Sequence, residues 1–131
     1  MRVVLDTNIF ISGIFWKGNP NKIVSEWRNG KFTLVSSMEL VKELINTLKD
    51  FKIALPEEII KEWIDLIIMN SELVIIKNEL KAVEDPDDDK FIETALAGSA
   101  DFIITQDKHL LKIKEYNNIK ILTPTEFLKI I

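Results

Sequence analysis

The stretch "RVVLDTNIFISGIFW" (residues 2–16) decides the fold. Its first part, residues 2–6, is a short apolar run that ends in an acid, the pattern of a buried strand. Its second part is longer and apolar at helical spacing, a short helix with Thr7 or Asn8 as a possible cap. A strand that hands the chain directly to a helix is the repeating unit of an α/β protein, so the question is how often the unit recurs.

It recurs through the whole chain. A helix is predicted over residues 20–29, with Pro20 at its start and Gly30 at its end. "KFTLVS" (31–36) is a second strand, and "SSMELVKELINTLKD" (36–50) an amphipathic helix that Ser36 or Ser37 can cap. Residues 56–70 begin a further helix at Pro56, with acids in its first turn where the helix dipole favours them. "LVII" (73–76), "DFIIT" (101–105) and "IKIL" (119–122) are the third, fourth and fifth strands. The helices between and after them are "DKFIETALAGS" (89–99), "DKHLLKIK" (107–114) and "TPTEFLKII" (123–131). Short strands alternating with helices predict a three-layer α/β/α domain spanning residues 1–131. Its centre is a mostly parallel five-stranded sheet flanked by helices.

Composition removes several classes of function. The 131 residues include no cysteine and one histidine, which excludes a disulfide framework, a thiolate metal site and a histidine-rich zinc cluster. Neither glycine-rich nucleotide-binding loop is present. The N-terminus meets an acid at Asp6 and lacks the apolar core of a signal peptide, and no apolar run reaches membrane-spanning length. A cytoplasmic protein with no membrane partner is the expectation. The net charge is −4, and its source is local. Once the five acids of "EDPDDD" (84–89) are set aside, sixteen acids face 17 bases.

In parallel α/β sheets ligands bind outside the carboxyl ends of the strands. Asp6 ends the first strand, Asp107 follows the fourth, and Asp89 begins the helix before the fourth. Glu43 lies on the helix after the second strand, beside its apolar stripe. Four carboxylates gathered there repel one another unless a cation intervenes. Hard divalent ions such as Mg²⁺ or Mn²⁺ take oxygen ligands and suit phosphoryl chemistry.

Three blocks carry a family resemblance: "VVLDTNIFIS" (3–12), "VSSMELVKELINTL" (35–48) and "DPDDDKFIETALAGSADFIITQDKHLL" (85–111). Together and in this order they resemble the acidic blocks of PIN-domain ribonucleases, and within them the VapC-like toxin components of toxin–antitoxin systems. The resemblance implies a PIN-like fold and a metal-dependent endoribonuclease that cuts single-stranded or looped RNA, leaving a 5′-phosphate and a 3′-hydroxyl. Asp6, Glu43, Asp89 and Asp107 match the four acids that hold one or two Mg²⁺ or Mn²⁺ ions. Asn8, Ser12 and Thr105 match supporting polar positions. Partners implied are RNA, a cognate antitoxin protein and a second copy of the chain. An RNA-processing nuclease and a non-catalytic nucleic-acid or partner-binding module are the alternatives. A haloacid-dehalogenase phosphatase also starts with a strand and an Asp, but wants an acid where Asn8 stands.

Each acid has an ordinary reading as well. Asp6 and Asp107 can cap helices, and Glu43 can be a solvated helix acid beside Glu39. Asp85, Asp87 and Asp88 could each contribute a ligand, although their positions suit the helix N-terminus, and Asp89 is the expected main ligand of that run. Lys17, Lys22, Arg28 and Lys108, with Lys31 and Lys112, are candidate phosphate contacts. His109 is expected at the surface. Trp16, Trp27 and Trp63 are expected in the core or an interface. The helix over residues 56–70 is apolar around more than one stripe, so it is either buried in the core or part of an interface in a dimer or higher oligomer.

Overall fold

A computed structural model describes residues 1–50, 55–80 and 86–131, with side chains of the last segment from Asp88 onward. β1 (Arg2–Leu5) leads into α1 (Thr7–Phe15) and α2 (Asn19–Arg28). β2 (Thr33–Ser37) leads into α3 (Met38–Asp50) and α4 (Glu57–Met69). β3 (Ser71–Val74), α5 (Pro86–Ala97), β4 (Phe102–Ile104) and α6 (Lys108–Leu111) follow. β5 (Glu115–Tyr116), β6 (Ile119–Leu122) and α7 (Pro124–Leu128) complete the set.

The strands form one sheet in the order β3-β2-β1-β4-β6-β5. β1 lies between β2 and β4 and is parallel to both, with Val3 beside Leu34 and Leu5 beside Ile104. Successive strand residues point to opposite faces, which explains the unbroken apolar runs. Val3, Leu5, Leu34 and Ile104 enter one core with side chains of α1 to α4 and α7. Val4, Val35, Ile103 and Ile121 enter a second core against Phe91, Ile92 and Ala95 of α5 and Leu110 of α6. The expected mostly parallel sheet between helical layers is thus observed.

The connections decide where a site can form. The chain steps outward from β1 to β2 to β3, and α5 then carries it back to place β4 on the other side of β1. The strand order therefore reverses between β1 and β4, and a crevice opens at their carboxyl ends. α5 runs antiparallel to the strands. Gly98, just past its last residue, accepts a hydrogen bond from Arg2 Nε at the start of β1 (2.7 Å), so its acidic first turn lies at the opposite end, by the crevice.

The structure departs from the sequence expectations in several places. Among the described residues the sheet has six strands rather than five. The extra strand, β5, pairs antiparallel with β6 through a tight hairpin. Asn117 and Asn118 turn it at φ 47° and 69°, a conformation that asparagine tolerates well. β3 covers residues 71–74 rather than 73–76, so Ile75 falls beyond the strand and is 92% exposed while Ile76 is buried. α5 starts at Pro86 rather than at Asp89, since proline fits the first turn of a helix. α4 is neither wholly buried nor bare: Ile60, Ile64 and Ile67 are buried, whereas Ile68 and Met69 are exposed. Trp16, expected in a core or an interface, is half exposed, while Trp27 is buried with its ring edge-on to Phe10.

Helices α1 and α2 touch where Gly13 leaves room. A Cβ at Gly13 would lie 2.6 Å from Val24 Cγ2 and 3.0 Å from the Pro20 carbonyl oxygen. Alanine would gain about 1 kcal/mol of helix propensity there, but overpacking costs about 1–3 kcal/mol and backbone cannot yield as a side chain can. Gly13→Ala should therefore lower stability by about 1 kcal/mol. Urea unfolding checks this; a midpoint at or above that of the wild type would show that the helices part freely.

Candidate active site

Asp6 is the residue at which β1 becomes α1. Its amide still bonds in the sheet, donating to the Ile104 carbonyl at 3.0 Å. Its side chain already caps the helix, with Oδ1 accepting from the Asn8 amide at 3.3 Å. Across the crevice, the buried Thr105 hydroxyl donates to Asp6 Oδ2 at 2.6 Å and accepts from the Asp107 amide at 2.9 Å. One hydroxyl thus joins the carboxyl ends of β1 and β4. Asp107 caps α6 through the His109 amide at 2.7 Å. Thr7 donates to Glu43 Oε2 at 2.7 Å, which ties α3 to the first turn of α1.

The Asp6 carboxyl is 5% exposed. Its pKa is raised, first because burial disfavours the charged form and further because Glu43 and Asp107 add negative charge nearby. The bonds from Thr105 and Asn8 pull the other way and do not overcome burial. Asp88 and Asp89, in the first turn of α5, are also buried. Among the described residues, no three acidic or histidine side chains stand close enough to form a ready-made metal cage.

A family model described as PIN domain matches residues 2–109. The chain belongs to the PIN domain family. No curated protein sequence matches it. Among solved structures it is similar to a chain of VapBC2 from Rickettsia felis bound to a DNA fragment from their promoter. The TM-score is 0.64 at 18% identity, over 94% of this chain and 98% of that one. At that identity the likeness is one of fold.

The sheet of this PIN domain puts Asp6 and Asp107 at one end, with Glu43 near enough to act on Asp6 electrostatically. Asp89 comes to the same end through the direction of α5. The ordinary reading of Asp6 and Asp107 holds as well, because both cap helices. Thr105 bonds Asp6 through its side chain, and Asn8 does so through its backbone amide. Ser12 is half-buried and its carbonyl receives the Trp16 amide. Lys17, Lys22 and Lys108 are exposed, with Lys22 near the start of α2, where Asn19 bonds Thr125 of α7. Arg28 does not fit the expected cleft. It sits at the far end of α2, beside the amino ends of the strands, with its guanidinium 5.5 Å from the centre of the Trp63 ring. His109 is exposed, as expected.

Three features were missed in the sequence. Thr7 was read as a possible cap, yet it is buried and holds Glu43. Its position one residue after a strand-end acid was the available signal. Asp88 was expected mainly to favour the helix terminus, but it is buried beside Asp89. Ser37, a proposed cap, bonds Thr94 of α5 at 3.0 Å as well as receiving the Leu40 amide at 3.4 Å. Glu84, Asp85 and the Asp87 side chain lie outside the described residues.

The oxygen donors suit a hard divalent ion, which would offset the burial penalty on the charged Asp6 and the repulsion from Glu43 and Asp107. Magnesium commonly takes only one or two carboxylates and keeps several waters, so a closed cage is not required. A carboxyl with a raised folded pKa contributes stability that is fully present below its unfolded pKa and lost as pH rises through the folded value. In EDTA, wild type should lose stability over that interval, whereas Asp6→Asn should lose less and melt higher at neutral pH. Urea midpoints from mildly acid to neutral pH check this. Parallel curves for the two proteins would show that Asp6 carries no such penalty.

Proposed function

We propose that the chain is a metal-dependent endoribonuclease acting on single-stranded or looped RNA. In this reading it is the toxin of a toxin–antitoxin pair, a cytoplasmic protein whose partner is a cognate antitoxin. The observation that carries the proposal is the buried Asp6 carboxyl at the reversal of strand order, with Glu43 and Asp107 beside it. PIN domains are generally nucleases, and VapBC2 from Rickettsia felis shares the fold.

Asp6, Glu43, Asp89 and Asp107 would hold one or two Mg²⁺ or Mn²⁺ ions. Such an ion supplies an activated water and neutralises charge on the phosphate. The chain's own part is positional. Thr105 fixes one oxygen of Asp6, and the Asn8 amide fixes the other. Thr7 steers Glu43, and the α6 cap orients Asp107. The sheet and α5 shield this end of the crevice from bulk water, which strengthens every charge interaction there. The lack of a closed cage among the described residues favours a second reading, a binding module with a residual acidic site.

Cleavage of a labelled oligoribonucleotide separates the two. Wild type should cut with Mn²⁺ and stop in EDTA. Asp89→Asn should remain folded by circular dichroism and cut about 100- to 1,000-fold more slowly, the scale for loss of a preorganised charge contact. Mn²⁺ should raise the melting temperature of wild type and not of Asp6→Asn. RNA binding without cleavage at saturating Mn²⁺ would establish the module instead.

The exposed Ile68, Met69, Leu73 and Ile75 run from the end of α4 through β3, which forms one edge of the sheet. We infer that this face joins a dimer or higher oligomer, because apolar surface on an edge strand tends to be covered. Light scattering at micromolar concentration should give at least twice the monomer mass, and Ile75→Lys should lower it. A monomer at that concentration would leave this face as plain surface.

A further inference from the structure

Thr105 ties the two acids that stand at strand ends, but Glu43 and Asp89 stand on helices. A second pair of buried hydroxyls links those two helices. The Ser37 and Thr94 hydroxyls lie 3.0 Å apart, and both residues are fully buried. Ser37 is the last residue of β2, and its Oγ also accepts from the Leu40 amide in the first turn of α3 at 3.4 Å. Thr94 lies in the body of α5. One pair of side chains therefore joins the carboxyl end of β2, the start of α3 and α5.

α5 meets β2 at a second point one turn further on, where a Cβ at Gly98 would run into the Val35 side chain. Apolar contact of that kind keeps two elements close but is non-directional, so it leaves them free to slide and turn. A hydrogen bond is directional, and at Thr94 it fixes the rotation and axial position of α5. Asp89 stands five residues before Thr94, about 7.5 Å along α5, and Glu43 three residues after Leu40, about 4.5 Å along α3. Around the pair the core is apolar, with Val35, Phe91, Ile92 and Ala95 in it. There a bonded hydroxyl pair adds little net stability over apolar groups of the same shape, so its distinct contribution is geometric. We propose that Ser37 and Thr94 are positioning residues that hold Glu43 and Asp89 at the separation a divalent cation requires. The proposal rests on the metal-dependent reading above. Neither hydroxyl touches the ion; each acts through the helix that carries an acid.

Calorimetric titration of the metal-free full chain with Mn²⁺ tests it, beside urea unfolding in EDTA. Thr94→Val keeps the shape and removes the hydroxyl, whereas Thr94→Ser keeps the hydroxyl and removes a methyl. Thr94→Val should raise the Mn²⁺ dissociation constant about 10-fold, the scale for loss of a group that orients metal ligands. Thr94→Ser should bind Mn²⁺ as wild type does, even where the lost methyl lowers its urea midpoint. Ser37→Ala should weaken binding alone and add little in the Thr94→Val background, because the two hydroxyls act as one tie. Ile121→Val, in the same core but on β6, should lower the urea midpoint and leave Mn²⁺ affinity unchanged. RNA cleavage by Thr94→Val should need about 10-fold more Mn²⁺ to reach half its maximum rate.

Equal Mn²⁺ affinity in wild type and Thr94→Val, with wild type cutting RNA, would overturn the positioning role and leave the ribonuclease reading standing. A loss that Thr94→Ser shares, or that follows the urea midpoint through Ile121→Val, would also overturn it, since packing alone would then account for the effect. If wild type takes up no Mn²⁺, the metal-dependent reading falls and the positioning role with it.

Discussion

The Thr105 hydroxyl joins the two central strands at the end where the sheet reverses its order. It donates a hydrogen bond to Asp6 and accepts one from the Asp107 amide, so it fixes both acids relative to β1 and β4. That bond makes a buried carboxyl tolerable, since an isolated charge in such a place would cost several kcal/mol. It offsets only part of the penalty, and the raised pKa of Asp6 is what remains. The rest must be borne by the cores on either side, where Leu5, Ile9 and Ile104 on one face and Val4 and Ile103 on the other hold the strand ends in place.

In the proposed reading the same residues carry structure and chemistry. Asp6 and Asp107 are N-caps, so each helix terminus they satisfy also lends them positive potential. A neutral cap would hold the helices equally well. Two acids at the crevice, with a third carboxylate drawn in by Thr7, are more negative charge than helix capping requires. This excess, rather than any one acid, is what the proposed site rests on.

Much of this was legible in the sequence because periodicity and topology are linked. Doubly covered parallel strands read as short apolar runs, and the carboxyl ends of such strands are where sites form. Asp6 and Asp107 could therefore be placed before any coordinates. The position of β3 was less legible, because "LVII" looks more strand-like than "SELV", although pairing with β2 selects the latter. Asp88 was misjudged for a related reason. The helix starts at Pro86 rather than at Asp89, so Asp88 lies within its first turn and is buried with Asp89. Arg28 was misplaced because charge in a sequence carries no information on which end of a helix meets the site. The Asn117–Asn118 hairpin was legible from its residue types and was passed over.

Glu43 differs from the other acids in how it is held. Asp6 is pinned at both oxygens, and Asp107 is locked to the α6 terminus. Glu43 stands on a helix at the end of a longer side chain, with one hydrogen bond from Thr7 to one oxygen and its surface only partly buried. Two short, fixed acids on strand ends set the position of a site, and a longer acid on a helix can adjust to what enters it. Thr7 then serves as the partner that Glu43 keeps when no cation is near, which lowers the cost of holding it close to Asp6. The same arrangement explains why no closed cage forms among the described residues: the side chain with most freedom is bonded to a hydroxyl rather than turned fully toward its fellow carboxylates.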